Sequence, residues 1–155
     1  MKHYLVSIGL LLLATAVSVP AIAYDAELAK SYDTLFANCK GAQAGKALHM
    51  MEPEALVQAL KKGEKLVALD IRTPAETGVF GVTMPETIVV SIDELFEPEQ
   101  LARIPTDRKV VVFCQTGARS VAACTALRHV GFDNAFILKG GLKGLSAYLG
   151  PKEAY

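Results

Sequence analysis

The sequence predicts an α/β domain built on a mainly parallel sheet, and three observations carry that reading. Short apolar runs at residues 66–69, 88–90, 110–113 and 135–138 alternate with segments of helical spacing. These runs lack the period-two alternation of a sheet with one wet face, so they suit strands buried on both sides with helices on both faces. Two of them stop at chemically capable residues, Asp70 and Cys114. In parallel sheets, ligands gather beyond the carboxyl ends of the strands.

The 155 residues allow one domain with an appendage. Residues 1–23 have the pattern of a secretory signal peptide. Lys2 and His3 open it, residues 5–19 are almost all apolar, and Pro20-Ala21-Ile22-Ala23 supplies a small-x-small cleavage signal. Cleavage is expected after Ala23, placing the chain in the periplasm or outside the cell. The rival is an uncleaved anchor, because residues 4–23 are about long enough to span a bilayer; Pro20 with the small pair Ala21 and Ala23 favours cleavage. Removing the segment leaves 15 basic residues against 16 acidic ones. That balance gives no basis for nucleic acid or an anionic membrane as partner, nor for stable membrane insertion after cleavage. The three cysteines are an odd number for an oxidising compartment, so one thiol stays outside any intramolecular disulfide. None has zinc or haem spacing, and no cofactor or metal is implied.

Residues 24–51 form an N-terminal helical extension, with Leu28, Tyr32, Leu35 and Phe36 at helical spacing before a break at Lys40-Gly41-Ala42-Gln43-Ala44-Gly45. Cys39 lies at the break and reads as a structural or solvent-side residue rather than a redox or resolving thiol, since nothing charged or glycine-rich surrounds it in a thiolate-making way. The main domain occupies residues 52–149. Its first helix, 54–61, turns Leu56, Ala59 and Leu60 inward and ends at Gly63. The strand at 66–69 follows, closed by Asp70. Residues 83–85 are a loop or edge before the strand at 88–90. Brief helical pieces at 92–96 and 99–104 are separated by Pro98, and the strand at 110–113 leads to a helix over 118–130. The last strand, 135–138, is followed by Gly140-Gly141, a final helix to about 149, and a tail at 150–155.

The strand at 110–113 ends at Cys114 and runs into Gln115-Thr116-Gly117-Ala118-Arg119-Ser120. A helix N-terminus leaves backbone N–H groups unpaired and carries partial positive charge, so a loop curled over it favours an anion. A cysteine there is held as a reactive thiolate, whereas a free thiol titrates near 8.5. The plain alternative is a small packed hydrophobe at a strand end. Gly117 and Arg119 at these offsets tip the reading to the thiolate.

The chain resembles the rhodanese family of sulfurtransferase domains over residues 52–149. The resemblance rests on Leu69-Asp70-Ile71-Arg72 with Glu76, Pro105-Thr106-Asp107, the loop from Cys114 to Ser120, Gly131-Phe132-Asp133-Asn134 and Leu138-Lys139-Gly140-Gly141. It implies a rhodanese-like fold, a five-stranded parallel sheet flanked by helices, and transfer of sulfane sulfur through a persulfide on Cys114. With the signal segment, it suggests a small exported single-domain member. Where members commonly carry Gly-His-Ile-Pro-Gly-Ala, this chain has Gly81-Val82-Thr83-Met84-Pro85-Glu86-Thr87. Any contact made by the missing histidine is therefore not carried over.

On this reading Cys114 is catalytic and Gln115, Thr116, Gly117, Ala118, Arg119 and Ser120 bind substrate. The backbone N–H groups cradle the anion, Gly117 permits the turn, and Arg119 adds a charged donor fork. The alternative for Arg119 is a surface pair with an acid. The expected partners are small sulfur anions such as thiosulfate, with cyanide or a thiol, or a protein, accepting the sulfur. Rival readings are a persulfide carrier without turnover and a phosphatase or arsenate reductase. Cys114 and Arg119 enclose four residues; phosphatases resembling this fold have five, a wider bowl, so the spacing favours sulfur. Asp70, Arg72 and Glu76 read as structural, with Glu76 a candidate partner for Arg72. Cys124 reads as packing, and His49 and His129 as structural or exposed.

Overall fold

A computed structural model describes residues 23–150. Among these, five strands form one parallel sheet: β1 (Met50–Met51), β2 (Leu66–Asp70), β3 (Thr87–Val89), β4 (Lys109–Phe113) and β5 (Ala135–Leu138). Their order is β1-β5-β4-β2-β3. The helices are α1 (Ala26–Phe36), α2 (Ala44–Ala47), α3 (Pro53–Lys61), α4 (Pro74–Val79), α5 (Pro98–Leu101), α6 (Ala118–His129) and α7 (Gly141–Tyr148), with a short 3₁₀ turn at Gly41–Gln43. The expected α/β class, parallel sheet and two helical layers are all present.

The central strands are apolar on both faces because each face has its own core. Val67 and Leu69 of β2, with Val110 and Val112 of β4, meet Ala123, Cys124 and Leu127 of α6, and Leu95 and Ile104. Leu66 and Ala68, with Val111 and Phe113, meet Leu56, Val57 and Ala59 of α3 and Leu142 and Leu145 of α7. Each large aliphatic side chain so buried stabilises the fold by about 1.5–3 kcal/mol relative to exposure. The two edge strands, β1 and β3, are two and three residues long. Short edges offer little template for pairing with another chain.

Three elements differ from the sequence reading. The fifth strand, β1, lies inside the segment assigned to the extension, with Met50 and Met51 in register with Ile137 and Leu138. Two residues are too few to show a period. Residues 92–96 are turns, and Pro98 begins α5 instead of separating two helices. Proline suits the first helical position, where its missing N–H costs no hydrogen bond. Lastly, α4 was not anticipated. Its signal is the capping box Thr73-Pro74-Ala75-Glu76, in which the Thr73 hydroxyl accepts from the Glu76 N–H and Glu76 accepts from the Thr73 N–H.

The helical part of the extension docks far from the sheet's carboxyl end. Asp25 caps α1 by accepting from the Leu28 N–H at 2.9 Å. Tyr32 stacks on His129, the last residue of α6, with ring centroids 4.2 Å apart, and the Ser31 hydroxyl lies 2.7 Å from His129 Nε2. Arg128 donates to the Ala47 carbonyl at 3.0 Å. At 1.5 Å per residue, these ties sit roughly 15 Å along α6 from the end that faces Cys114. The expected signal segment and the tail beyond Gly150 lie outside the described residues.

Candidate active site

The site forms where β4 hands over to α6. Phe113, the last residue of β4, is in register with Asp70, the last of β2, so Cys114 emerges at the carboxyl edge of the sheet's centre. Cys114 is 1% exposed and sits at the bottom of a bowl. The loop turns back at Gly117, whose φ of +100° is one that residues with side chains rarely adopt. That reversal brings the Gly117 N–H to 3.2 Å from the Cys114 Sγ. Burial raises the pKa of the thiol; the backbone N–H groups of Ser120, Thr116 and Gly117 and the Ser120 hydroxyl outweigh it, and the net pKa lies below the ordinary value. The loop's own donors therefore favour the thiolate form of Cys114.

A second helix keeps these donors pointed inward. The first N–H groups of α7 bind the loop's carbonyls, Leu142 to Cys114 at 2.8 Å and Lys143 to Gln115 at 3.0 Å. With the Cys114 and Gln115 carbonyls held from outside, the loop's N–H groups are left to face the sulfur. Such an approach needs glycine at 141, where φ is +58° and a Cβ would stand 2.3 Å from the Cys114 carbonyl oxygen and 2.7 Å from the Gly117 nitrogen. Ser120 completes the turn: its hydroxyl donates to the Gly117 carbonyl at 2.9 Å and lies 3.9 Å from the Cys114 Sγ.

Two ion pairs flank the bowl, and one corrects an expected pairing. Glu76 does not pair with Arg72. It takes the Arg119 guanidinium in a two-pronged bond, 2.8 Å from Nη1 to Oε2 and 2.5 Å from Nη2 to Oε1. Arg72 folds back onto Asp70, two residues earlier, with Nη2 2.7 Å from Oδ2 and Nε 2.9 Å from Oδ1. It also donates to the Phe80 carbonyl at 2.8 Å. The reason is geometric: Glu76 is fixed by the capping box at the start of α4, where it faces the start of α6, while Arg72 runs inward to a carboxylate at the strand end. The Arg72–Asp70 pair is buried and the Arg119–Glu76 pair is about one-third exposed. Bonds from Arg119, then from the Thr73 backbone, hold the Glu76 carboxyl at about 2. Arg119 in turn is raised above its usual pKa, by Glu76 first and by the Cys114 sulfur among lesser causes.

Of the residues singled out by sequence, Cys114, Thr116, Gly117, Arg119 and Ser120 converge at the sulfur. Gln115 and Ala118 are exposed on the loop, and Gln115 serves through its carbonyl bond to α7. Cys124 is fully buried in the core, and burial pushes its pKa up to about 12, so it is a packed thiol as expected. Cys39 is a half-buried free thiol on the extension. His49 places Nδ1 3.1 Å from the Ala135 carbonyl oxygen and stacks on Phe136. The docking function of Gly140-Gly141 was not read from the sequence; for Arg119 the alternative reading, a pair with an acid, is the one present, and the identity of that acid as Glu76 was not foreseen. The Thr-x-x-Glu spacing was a usable signal for the second. Among the described residues, no group of three or more His, Cys, Asp and Glu side chains is placed to hold a metal ion.

Comparison with known proteins agrees with this architecture. The family model for the rhodanese-like domain matches residues 52–148, and the chain belongs to that family. The chain is 35% identical over 92 residues to a sulfurtransferase of Allochromatium vinosum, covering 59% of this chain and 82% of that protein. It is 34% identical over 110 residues to the probable adenylyltransferase/sulfurtransferase MoeZ of Mycobacterium tuberculosis, covering 71% of this chain but 27% of that longer protein. Among solved structures, a rhodanese-related protein from Thermoplasma volcanium superposes with a TM-score of 0.55 at 26% identity, over 64% of this chain and 92% of the other.

Proposed function

We propose that the protein is a sulfurtransferase that carries sulfane sulfur as a persulfide on Cys114. The observation that carries this reading is the Cys114 sulfur at the floor of a loop whose N–H groups converge on it, with the Gly117 N–H at 3.2 Å. In the first half-reaction the thiolate attacks the outer sulfur of a donor such as thiosulfate. A sulfur–sulfur bond forms to Cys114, the donor's own sulfur–sulfur bond breaks, and sulfite departs with the bonding electrons. In the second, cyanide or a thiol attacks the terminal sulfur, and the Cys114 thiolate is the leaving group. Both anionic states occupy the same cradle, which is formed before either arrives.

The short loop supports sulfur over phosphorus. Four residues separate Cys114 from Arg119, a tight loop that suits a sulfur atom better than a tetrahedral phosphate. The N-terminal segment suggests a periplasmic or secreted setting, and a protein thiol is a further candidate acceptor. Thiocyanate formation from thiosulfate and cyanide tests the reading: the wild-type chain turns over and Cys114→Ser does not. Sulfur loading of Cys114 without turnover would make it a carrier, and phosphate-ester hydrolysis exceeding sulfur transfer would make it a phosphatase.

A further inference from the structure

The charges around the bowl discriminate among sulfur donors. Arg119 is the full positive charge within reach of the Cys114 sulfur, yet its guanidinium is occupied by both oxygens of Glu76. The other nearby arginine, Arg72, is buried and matched by Asp70. Lys143, exposed in the first turn of α7, is the remaining cation beside the loop, and solvent screens it. Each arginine thus brings its own carboxylate. What faces a donor is the thiolate, a ring of backbone dipoles and two ion pairs of no net charge. Dipoles can hold one negative charge beside another, but two charges on the donor add repulsion that the solvent-screened Lys143 offsets only weakly.

Resting on the sulfur-transfer reading, we infer that Glu76 is a specificity-determining residue: by neutralising Arg119 it makes the site select singly charged sulfane donors, of the persulfide or thiosulfonate class, over dianions such as thiosulfate. Either donor reacts in the same way. With a thiosulfonate, the Cys114 thiolate takes the outer sulfur, the donor's sulfur–sulfur bond breaks, and a sulfinate leaves with the electron pair. Atoms and charge balance as they do with thiosulfate, but the encounter holds one negative charge fewer. Glu76 touches neither sulfur; it acts through Arg119.

Glutamine at 76 is the appropriate probe, because Gln also serves at the third position of a capping box and so keeps α4 anchored. Steady-state kinetics on the full chain would use thiosulfate and methanethiosulfonate, near-isosteric donors of two charges and one, with cyanide as acceptor. In Glu76→Gln the KM for thiosulfate should fall about three- to tenfold, as expected for removing one unit charge from a partly solvated rim. The KM for methanethiosulfonate should change much less, and kcat should hold for both. Arg119→Gln should shift preference the other way, and the double variant, which removes no net charge, should return to the wild-type preference. Those two variants decide the matter if Glu76→Gln fails to fold. Equal shifts for both donors, or no shift, would overturn the inference and leave Glu76 as a mere support for Arg119. Failure of both donors to load sulfur onto wild-type Cys114, read by intact mass, would overturn the sulfur-transfer reading and the inference with it.

Discussion

Gly141 and Cys114 meet backbone to backbone: a Cβ on Gly141 would fall 2.3 Å from the Cys114 carbonyl oxygen, and the next N–H, from Leu142, donates to that oxygen at 2.8 Å. Through its backbone, α7 is thus part of the cysteine loop's construction. Two helix N-termini divide the work. α6 presents donors to the anion, and α7 holds the carbonyls out of the way.

Gly141→Ala should therefore damage the site more than an ordinary helix substitution would. The backbone there is left-handed, which costs a residue with a side chain about 1–2 kcal/mol, and the contact with two backbone atoms adds to it. Denaturant unfolding should show a loss of about 3 kcal/mol or more. Sulfur loading of Cys114 should fall even where the variant remains folded. Gly63→Ala, with a positive φ of +71° but open space around it, is the control: it should lose about 1 kcal/mol and keep activity.

Ser120→Ala should raise the Cys114 pKa. The Ser120 hydroxyl is among the groups that lower the thiol's pKa against burial and it donates to the Gly117 carbonyl at 2.9 Å; the variant loses both while keeping the Ser120 N–H. Ultraviolet thiolate absorbance, taken as the difference from Cys114→Ser, should show a midpoint below that of free cysteine in the wild type and above the wild-type midpoint in Ser120→Ala. An unchanged midpoint would mean the hydroxyl plays no part in ionisation.

The Asp70–Arg72 pair should behave as a buried pair does when halved. Asp70→Ala strands the Arg72 guanidinium, which is 1% exposed, and should cost about 3–5 kcal/mol by denaturant unfolding. Replacing both by apolar residues should recover much of that loss. A cost near zero for the single variant would show that Arg72 escapes to solvent.

Acid should reach the Glu76–Arg119 pair late. The Glu76 carboxyl is depressed from 4.5 to about 2 in the folded chain. Its contribution to stability is then fully present above pH 4.5 and fades as pH falls towards 2. Glu76→Gln should differ from wild type by a constant amount at neutral pH, and the two unfolding free energies should converge over that acid window. Convergence already complete near pH 5 would contradict the depressed value.

The main strands and the cysteine loop were legible because each carries its own signal. Val110-Val111-Val112-Phe113 suits a strand buried on both faces, and Gly117 three residues after Cys114 announces a turn at a strand end. What stayed hidden depends on partners distant in sequence. Met50–Met51 is a strand only because β5 lies beside it. Arg72 chose Asp70 over Glu76 because the chain direction after β2 sends one side chain inward and the other along α4. Gly140-Gly141 read as the start of a helix, which it is, but its fit against residues 114–117 needs the sheet to bring the ends of β4 and β5 together.

The central claim is that this bowl holds an ionised Cys114 able to carry sulfane sulfur, and intact mass spectrometry after exposure to a sulfane donor tests it most directly. The wild-type chain should gain the mass of one sulfur atom, localised to Cys114, with Cys39 and Cys124 unchanged, and Cys114→Ser should gain none. A wild-type chain that gains no sulfur, or a Cys114→Ser chain that gains as much, would contradict the account.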